Sequence, residues 1–180
     1  MKNLKPCTVE LAPAGSKKYL GAIQKKMGFI PNMLATFGNS PALLEGYLSL
    51  ESAFGKSSFT VVEQQLILLT VSVEHMCMYC VAAHSTLLRD AGGDAKMIKA
   101  VRDGEQLNDR KLNALVGLTR ELVVERGFVT ERTKQEFVAA GYSEVAMLEV
   151  LIGMALKTIS NYLDHISPVA IDIAFQAEAF

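Results

Sequence analysis

Signals that start and end helices recur along the chain, and no strand pattern competes with them. Thr60 and Glu63 fit a capping box at the start of an apolar run, and Ser40-Pro41 places an N-cap residue before a proline at the first helical position. Glycines follow several apolar segments, as at Gly92-Gly93. The sequence therefore predicts an all-α helical bundle. The predicted helices cover residues 16–27, 41–54, 60–73, 77–91, a short segment from 94, and residues 109–125, 130–141 and 143–165.

The length of 180 residues predicts a single domain over residues 1–180, with an irregular N-terminal segment at 1–15. Lys and Arg number 18 against 19 for Asp and Glu, so the charge carries no footprint of nucleic acid or anionic membrane binding. The N-terminus lacks the apolar core of a secretory signal. The apolar run 145–156 is interrupted by Glu149 and Gly153 and is too short to span a bilayer. We expect a soluble, cytoplasmic protein that binds neither nucleic acid nor membranes.

The chain is rich in apolar residues for a domain of this size. They make up 50% of the sequence, there is no tryptophan, and the segment 168–175 near the C-terminus is still largely apolar. A single domain of this length has a limited interior, so part of this apolar surface is expected to meet another subunit. The composition therefore predicts a homo-oligomer.

Cys77, Cys80 and His84 form the chemically most informative cluster in the sequence. On a helix of about 3.6 residues per turn, Cys77 and Cys80 are i,i+3 neighbours, and Cys80 and His84 are i,i+4 neighbours. A helix N-terminus, a second cysteine and a nearby imidazole each favour the thiolate, which is the nucleophilic form of cysteine. The spacing therefore indicates a redox site. On spacing alone, either cysteine could be the thiolate.

Two other interpretations of this cluster compete. Free cysteines also pack as small hydrophobic residues, so the pair could belong to the core beside an unrelated histidine. A zinc site would need three or four ligands, and only His75 and Glu74 lie near enough in sequence to extend the set. We predict neither a metal nor a cofactor. Cys7 lies far away in the N-terminal segment and is interpreted as incidental, and His165 as a histidine at a helix end.

The segment 77–84, Cys-Met-Tyr-Cys-Val-Ala-Ala-His, follows the helix capped by Thr60 and resembles the carboxymuconolactone decarboxylase superfamily, specifically its AhpD-like alkylhydroperoxidase branch. A weaker similarity lies in Gly-Phe-Ile-Pro-Asn at 28–32, followed by Ser40-Pro41. The resemblance covers most of the chain in helical order. It implies an all-helical AhpD-like fold, assembly as trimers or hexamers, and reduction of peroxides with electrons from a partner protein. Decarboxylase members of the superfamily generally lack the cysteine pair, so the pair favours the redox branch.

The resemblance also implies roles for individual residues. Cys80 would attack the peroxide and become a sulfenic acid, Cys77 would be the resolving thiol, and His84 would belong to the proton path. Related proteins place a glutamate twelve residues before the first cysteine, where this chain has Gln65. An amide can hydrogen-bond but cannot shuttle a proton at neutral pH. Glu74, three residues before Cys77, is the candidate to take the vacant place.

The first functional hypothesis is a thiol-dependent peroxidase or disulfide reductase that acts on a hydroperoxide and is recycled by a thiol or dithiol donor. A second is a non-catalytic redox sensor or stress-response assembly protein that carries the same cysteine pair. A third is a cofactorless enzyme of the decarboxylase type, which would not depend on the cysteines. The sequence leaves open the substrate, the electron donor and the choice between trimer and hexamer.

Overall fold

The computed structural model describes residues 4–179, and the regular structure within that span is helical throughout. The predicted all-α fold is therefore confirmed. The α-helices are α1 Ala14–Met27, α2 Asn32–Phe37, α3 Pro41–Phe54, α4 Val61–Glu74, α5 Met78–Asp90, α6 Ala95–Arg102, α7 Arg110–Val124, α8 Glu131–Ala139 and α9 Glu144–Ile166. A 3₁₀ helix at Ile173–Glu178 follows α9.

Capping side chains start most of these helices where the sequence predicts them. The Thr60 hydroxyl accepts from the N–H of Glu63, and the Glu63 carboxylate accepts from the N–H of Thr60, which completes the capping box of α4. Each such cap stabilises its helix by about 1 kcal/mol. Five other predicted caps also accept a backbone N–H: Ser40, Asp94, Asp109, Thr130 and Ser143.

The two ends of the chain differ from the prediction. Helix α1 begins at Ala14 behind Pro13, two residues earlier than expected, and the predicted cap Ser16 is buried inside the helix. The irregular N-terminal segment thus ends at Pro13 instead of residue 15, and its first three residues lie outside the described part. The short helix α2 and the C-terminal 3₁₀ helix were not predicted. Both are six residues long and too short to show a helical period.

Helix α4 is the centre of the bundle and packs against α5, α6, α7 and α9. Leu66, Ile67, Leu69 and Val71 on this helix are fully buried. Apolar side chains on more than one face are expected for a helix that has neighbours on several sides. Helix α5, which carries the cysteine motif, is therefore held against the most buried element of the fold.

Helix α9 is long and apolar enough to cross a membrane by length and composition. It packs against α3 and α4, and its inner face buries the polar side chains of Lys157, Ser160 and Asn161. These contacts bury one face of α9 against the bundle. Its interior polar groups also bring α9 to the cysteine motif.

Candidate functional site

A tight turn between α4 and α5 places both cysteines at the start of α5. Met76 in this turn has φ 56°, in the left-handed region, and lets the chain reverse direction within a few residues. Cys77 is the N-cap of α5, and its sulfur accepts the N–H of Cys80 at 3.4 Å. Cys80 therefore lies in the first turn, where the positive end of the helix dipole favours a thiolate.

Cys77 is fully buried, and its partner outside α5 is an acid. The Cys77 thiol donates to Asp164 Oδ2 at 3.4 Å, while Asp164 Oδ1 accepts the N–H of Val169 at 2.9 Å. The pKa of Cys77 is raised by the neighbouring Cys80 side chain, and burial adds to the effect. Cys77 is thus held as the protonated thiol of the pair.

Cys80 has the opposite surroundings. It is 2% exposed, and its Sγ lies 3.7 Å from Lys157 Nζ and 3.6 Å from Ser160 Oγ. The neighbouring Cys77 side chain lowers the pKa of Cys80, burial opposes this, and the positive charge of Lys157 lowers the pKa further, to about 6. Both cysteines are free, and the lowered pKa of Cys80 favours its thiolate form.

Lys157 links Cys80 to His84. Lys157 Nζ lies 2.6 Å from His84 Nε2, and His84 Nδ1 lies 2.9 Å from Gln65 Oε1. Burial and the neighbouring Lys157 charge hold the pKa of His84 well below its usual value, so the imidazole is neutral. Assigned from these contacts, Nδ1 carries the proton and donates to Gln65, and Nε2 accepts from the ammonium.

Tyr47 and Tyr79 also lie near the cysteine pair. Burial raises the pKa of Tyr47, which lies close enough to Lys157 and Cys80 to feel their charges. Tyr79 lies between the cysteines in sequence, and its hydroxyl donates to Asp172 Oδ2 at 2.6 Å. Its ring meets Phe175 edge-on with centroids 6.2 Å apart. Tyr79 is therefore a packing residue that ties the C-terminal segment to α5.

Four of the five predicted site residues come together: Cys77, Cys80, His84 and Gln65. Glu74 does not join them. Its carboxylate accepts from Arg120 Nε of α7 at 2.7 Å, so the prediction that Glu74 replaces the missing glutamate is wrong in this structure. As the last residue of α4, Glu74 faces α7 and not the start of α5.

Other predicted residues lie outside the thiol cluster. His75 ends α4, with Nδ1 3.2 Å from Asn161 Nδ2, and exposed His165 stacks on Tyr162. Cys7 packs at the edge of the apolar cluster around the cysteines, and its N–H donates to the carbonyl of Ala35. Within residues 4–179, no three His, Cys, Asp or Glu side chains are grouped as metal ligands.

Sequence reasoning missed the contribution of α9. Lys157, Ser160, Asn161 and Asp164 stand at i, i+3, i+4 and i+7, on one face of an otherwise apolar helix. A polar stripe of this kind inside an apolar helix was the available signal. It identifies a buried polar face but not the side chains that this face meets.

Residues 41–107 match the model of the carboxymuconolactone decarboxylase family. No curated protein matches the chain in sequence.

Solved structures share the fold over nearly the whole chain. An uncharacterized peroxidase-related protein from Ralstonia eutropha JMP134, with an alkylhydroperoxidase AhpD core, is 17% identical and has a TM-score of 0.85, over 97% of this chain and 96% of that one. A similar uncharacterized protein from Silicibacter sp. TM1040 is 16% identical with a TM-score of 0.82, over 98% and 96%. The debrominase Bmp8, in its C82A form with 2,3,4-tribromopyrrole, is 17% identical with a TM-score of 0.82, over 99% and 96%.

Proposed function

We propose that this chain, whose residues 41–107 match the carboxymuconolactone decarboxylase family, is a thiol-dependent peroxidase whose reactive pair is Cys80 and Cys77. The observation that carries the proposal is the asymmetry of the pair. Cys80 lies beside the ammonium of Lys157, whereas the Cys77 thiol donates to the carboxylate of Asp164. A nucleophile and a resolving thiol need this division, because one must be a thiolate and the other must remain protonated until its turn.

The chemistry follows from the two sulfurs. The Cys80 thiolate attacks the terminal oxygen of a hydroperoxide, a sulfur–oxygen bond forms as the oxygen–oxygen bond breaks, and an alkoxide leaves. Cys77 then attacks the sulfur of the Cys80 sulfenic acid, and water is released as the disulfide forms. A thiol or dithiol donor supplies two electrons and two protons to restore both thiols.

The spacing of the cysteines suits this disulfide. Residues at i and i+3 in a first helical turn have Cβ atoms about 5–6 Å apart, and small backbone shifts bring that separation to the roughly 4 Å of a disulfide. The sulfur of Cys77 already lies over the first turn, where it accepts the N–H of Cys80 at 3.4 Å. An intramolecular disulfide is therefore accessible without displacing α5.

The test is peroxide-dependent oxidation of a dithiol donor by the purified protein and three cysteine variants. Cys80→Ser should abolish turnover, and Cys77→Ser should react once and leave a sulfenic acid that a 1,3-dione traps at Cys80. Cys7→Ser is the matched control and should keep full turnover. One equivalent of peroxide consumed without recycling by any donor would favour the redox sensor. Unchanged turnover in Cys80→Ser would refute the proposal.

We propose further that the chain assembles as a homo-oligomer through α9. Val145, Leu148, Tyr162 and Ile166 form one stripe along this helix and are 64%, 64%, 51% and 71% exposed. Exposed apolar stripes on a helix are typical of subunit contacts. Light scattering should give a mass above 19.6 kDa that falls to the monomer in Leu148→Glu. A stable monomer at micromolar concentration would contradict this assembly.

A further inference from the structure

Lys157 is a buried cation whose part in the reaction the proposed function does not define, and its role here rests on that function. We propose that Lys157 is the acid–base residue of the thiol site: its ammonium holds Cys80 as a thiolate and donates the proton that the leaving oxygen takes up. Lys157 lies beside the reacting sulfur, with Nζ 3.7 Å from Cys80 Sγ, and His84 Nε2 holds it there at 2.6 Å.

The burial of Lys157 requires a negative partner. The residue is 2% exposed, and a buried ammonium without compensation is strongly unfavourable. Within residues 4–179, none of the ion pairs involves Lys157. Burial alone would lower the pKa of Lys157, but its neighbours together outweigh burial and raise the pKa, and Cys80 contributes the most among them. The thiolate is therefore the counter-ion of this lysine.

His84 and Gln65 act as positioning residues for Lys157. The neutral imidazole offers its Nε2 lone pair to the ammonium because its Nδ1–H is directed to the amide oxygen of Gln65. A carboxylate at position 65 would favour the imidazolium, which has no lone pair to offer and would repel Lys157. The neutral amide at position 65 therefore suits a lysine at position 157, because it keeps His84 neutral and able to accept a hydrogen bond from the ammonium.

The other groups around Cys80 do not replace this cation. Asp164 is negative and raises the pKa of Cys80, while His84 is neutral. The phenols of Tyr47 and Tyr79 have raised pKa values, chiefly through burial, and stay neutral. The titratable groups that face Cys80 are Tyr47 from α3, Cys77, Tyr79 and His84 from α5, and Lys157 and Asp164 from α9.

The proton balance closes over one cycle. The Cys80 thiolate takes the terminal OH of the hydroperoxide, and the departing alkoxide takes a proton from Lys157 and leaves as the alcohol. Lys157 is then a neutral amine. Cys77 then condenses with the sulfenic acid to form the disulfide. The water that is released consists of the thiol hydrogen and the sulfenic OH. When the dithiol donor reduces the disulfide, Cys80 regains a proton and passes it to Lys157, which restores the ion pair.

The test separates thiolate stabilisation from proton donation. In a Cys7→Ser, Cys77→Ser background, Cys80 is the single thiol, and its alkylation by iodoacetamide is followed against pH. Lys157→Met should move the midpoint upward by a pH unit or more, toward or above the ordinary value of about 8.5. It should also slow the single reaction with hydrogen peroxide by about 10²-fold at pH 7. Lys134→Met, at a half-exposed lysine of α8, is the matched control and should change neither.

Lys157→Arg distinguishes the two roles. Arginine keeps the positive charge but does not release its proton in proteins. It should therefore hold the alkylation midpoint near that of the parent while the peroxide reaction falls. Circular dichroism confirms that each variant is folded, and Lys157→Gln provides a second neutral side chain if methionine does not fold.

The outcomes distinguish this inference from the proposed function. An unchanged alkylation midpoint in folded Lys157→Met and Lys157→Gln would overturn the role of Lys157, even if peroxide is reduced. A peroxide reaction in Lys157→Arg equal to that of the parent would overturn proton donation. A midpoint that shifts in a protein that never reduces peroxide would refute the proposed function and leave Lys157 as the group that holds the thiolate.

Discussion

Glu63 and Lys157 are buried charged side chains on neighbouring helices, and they are satisfied in opposite ways. Glu63 at the start of α4 accepts from the N–H and hydroxyl of Thr60, both at 2.8 Å, and from the Tyr142 hydroxyl at 2.8 Å. Lys111 Nζ lies 3.1 Å from Glu63 Oε1, the same oxygen that accepts from Tyr142. Lys157 on α9 instead meets a thiol sulfur and an imidazole nitrogen.

The difference separates a structural charge from a chemical one. The partners of Glu63 are a backbone N–H, hydroxyls and a lysine, none of which changes its charge near neutral pH. Burial would raise the pKa of Glu63, but these hydrogen bonds lower it below its usual value. The partners of Lys157 are two groups that react or titrate. A buried charge whose partners can change their own charge is poised for chemistry.

The largest effect is expected at Glu63, the structural charge, and it is an effect on the free energy of unfolding. Glu63→Ala removes the capping box and leaves the Tyr142 hydroxyl without its acceptor, so we expect a loss of about 3 kcal/mol in the free energy of unfolding. Urea denaturation measures it. Glu131→Ala, at a 73% exposed acid in the first turn of α8, is the control and should cost no more than about 0.5 kcal/mol. A change in Cys80 alkylation in Glu63→Ala would break the distinction between the two charges.

Asp164 has one partner that does not react, a backbone N–H, and one that does, a thiol. It therefore tests the difference between the structural and the chemical charge within one side chain. One oxygen accepts the N–H of Val169 and the other accepts the Cys77 thiol. Asp164→Asn can keep the first contact but cannot take the thiol proton, so disulfide formation should slow by about 10²-fold while sulfenic acid at Cys80 accumulates. Rapid mixing with peroxide and a sulfenic-acid trap measures this.

Asp172→Asn supplies the control for that experiment. Asp172 also accepts from a side chain of α5, but its partner is the Tyr79 hydroxyl and not a thiol. It should leave the rate of disulfide formation unchanged. If both variants slow the step equally, the effect comes from the packing of the C-terminal segment and Asp164 is not a base.

His84, the neutral partner of Lys157, should also differ from Glu63 in the pH range where it affects stability. The pKa of His84 is lowered by burial. Below about pH 6.5 the unfolded chain therefore binds a proton that the folded one does not, and the free energy of unfolding decreases as the pH falls. One such group contributes up to about 1.4 kcal/mol per pH unit. His84→Gln should reduce this slope in urea titrations between pH 7 and 5 and leave the part that His75 contributes, since burial lowers its pKa as well.

Glu63 contributes in a more acid range. Its pKa is lowered in the folded state, so its contribution is present above about pH 4.3 and is lost as pH falls through the folded pKa. Glu63→Ala should therefore flatten the curve below that pH and leave the slope between pH 7 and 5 intact. If Glu63→Ala and His84→Gln changed the stability curve over the same pH range, the protonation of Glu63 and of His84 would be coupled.

The smallest effect is expected at Glu74, the acid that the sequence suggested for the site. Its ion pair with Arg120 is partly exposed, so Glu74→Gln should change stability by less than about 1 kcal/mol. Peroxide turnover should be the same as in the parent, because Glu74 is directed toward α7. A drop of tenfold or more in turnover would return Glu74 to the mechanism.

Local sequence signals were enough to predict the caps at Ser40 and Thr60 and the order of the main helices, because a cap and a helical period depend on residues within a few positions. The cysteine–histidine spacing indicated three residues of the candidate site for the same reason. The family resemblance added Gln65, which the structure places at hydrogen-bonding distance from His84. The short helix α2 had no comparable signal, since its six residues complete fewer than two turns.

The sequence by itself determined an all-helical chain with a pair of thiols at the start of one helix. Only the tertiary structure decided which charges those thiols meet. Lys157 and Asp164 lie 77 and 87 residues from the cysteines they contact, and Glu74, three residues from Cys77, is directed to another helix. Helical spacing fixes neighbours within a turn, whereas the packing of α9 against α4 and α5 brings a buried cation to one sulfur and a carboxylate to the other.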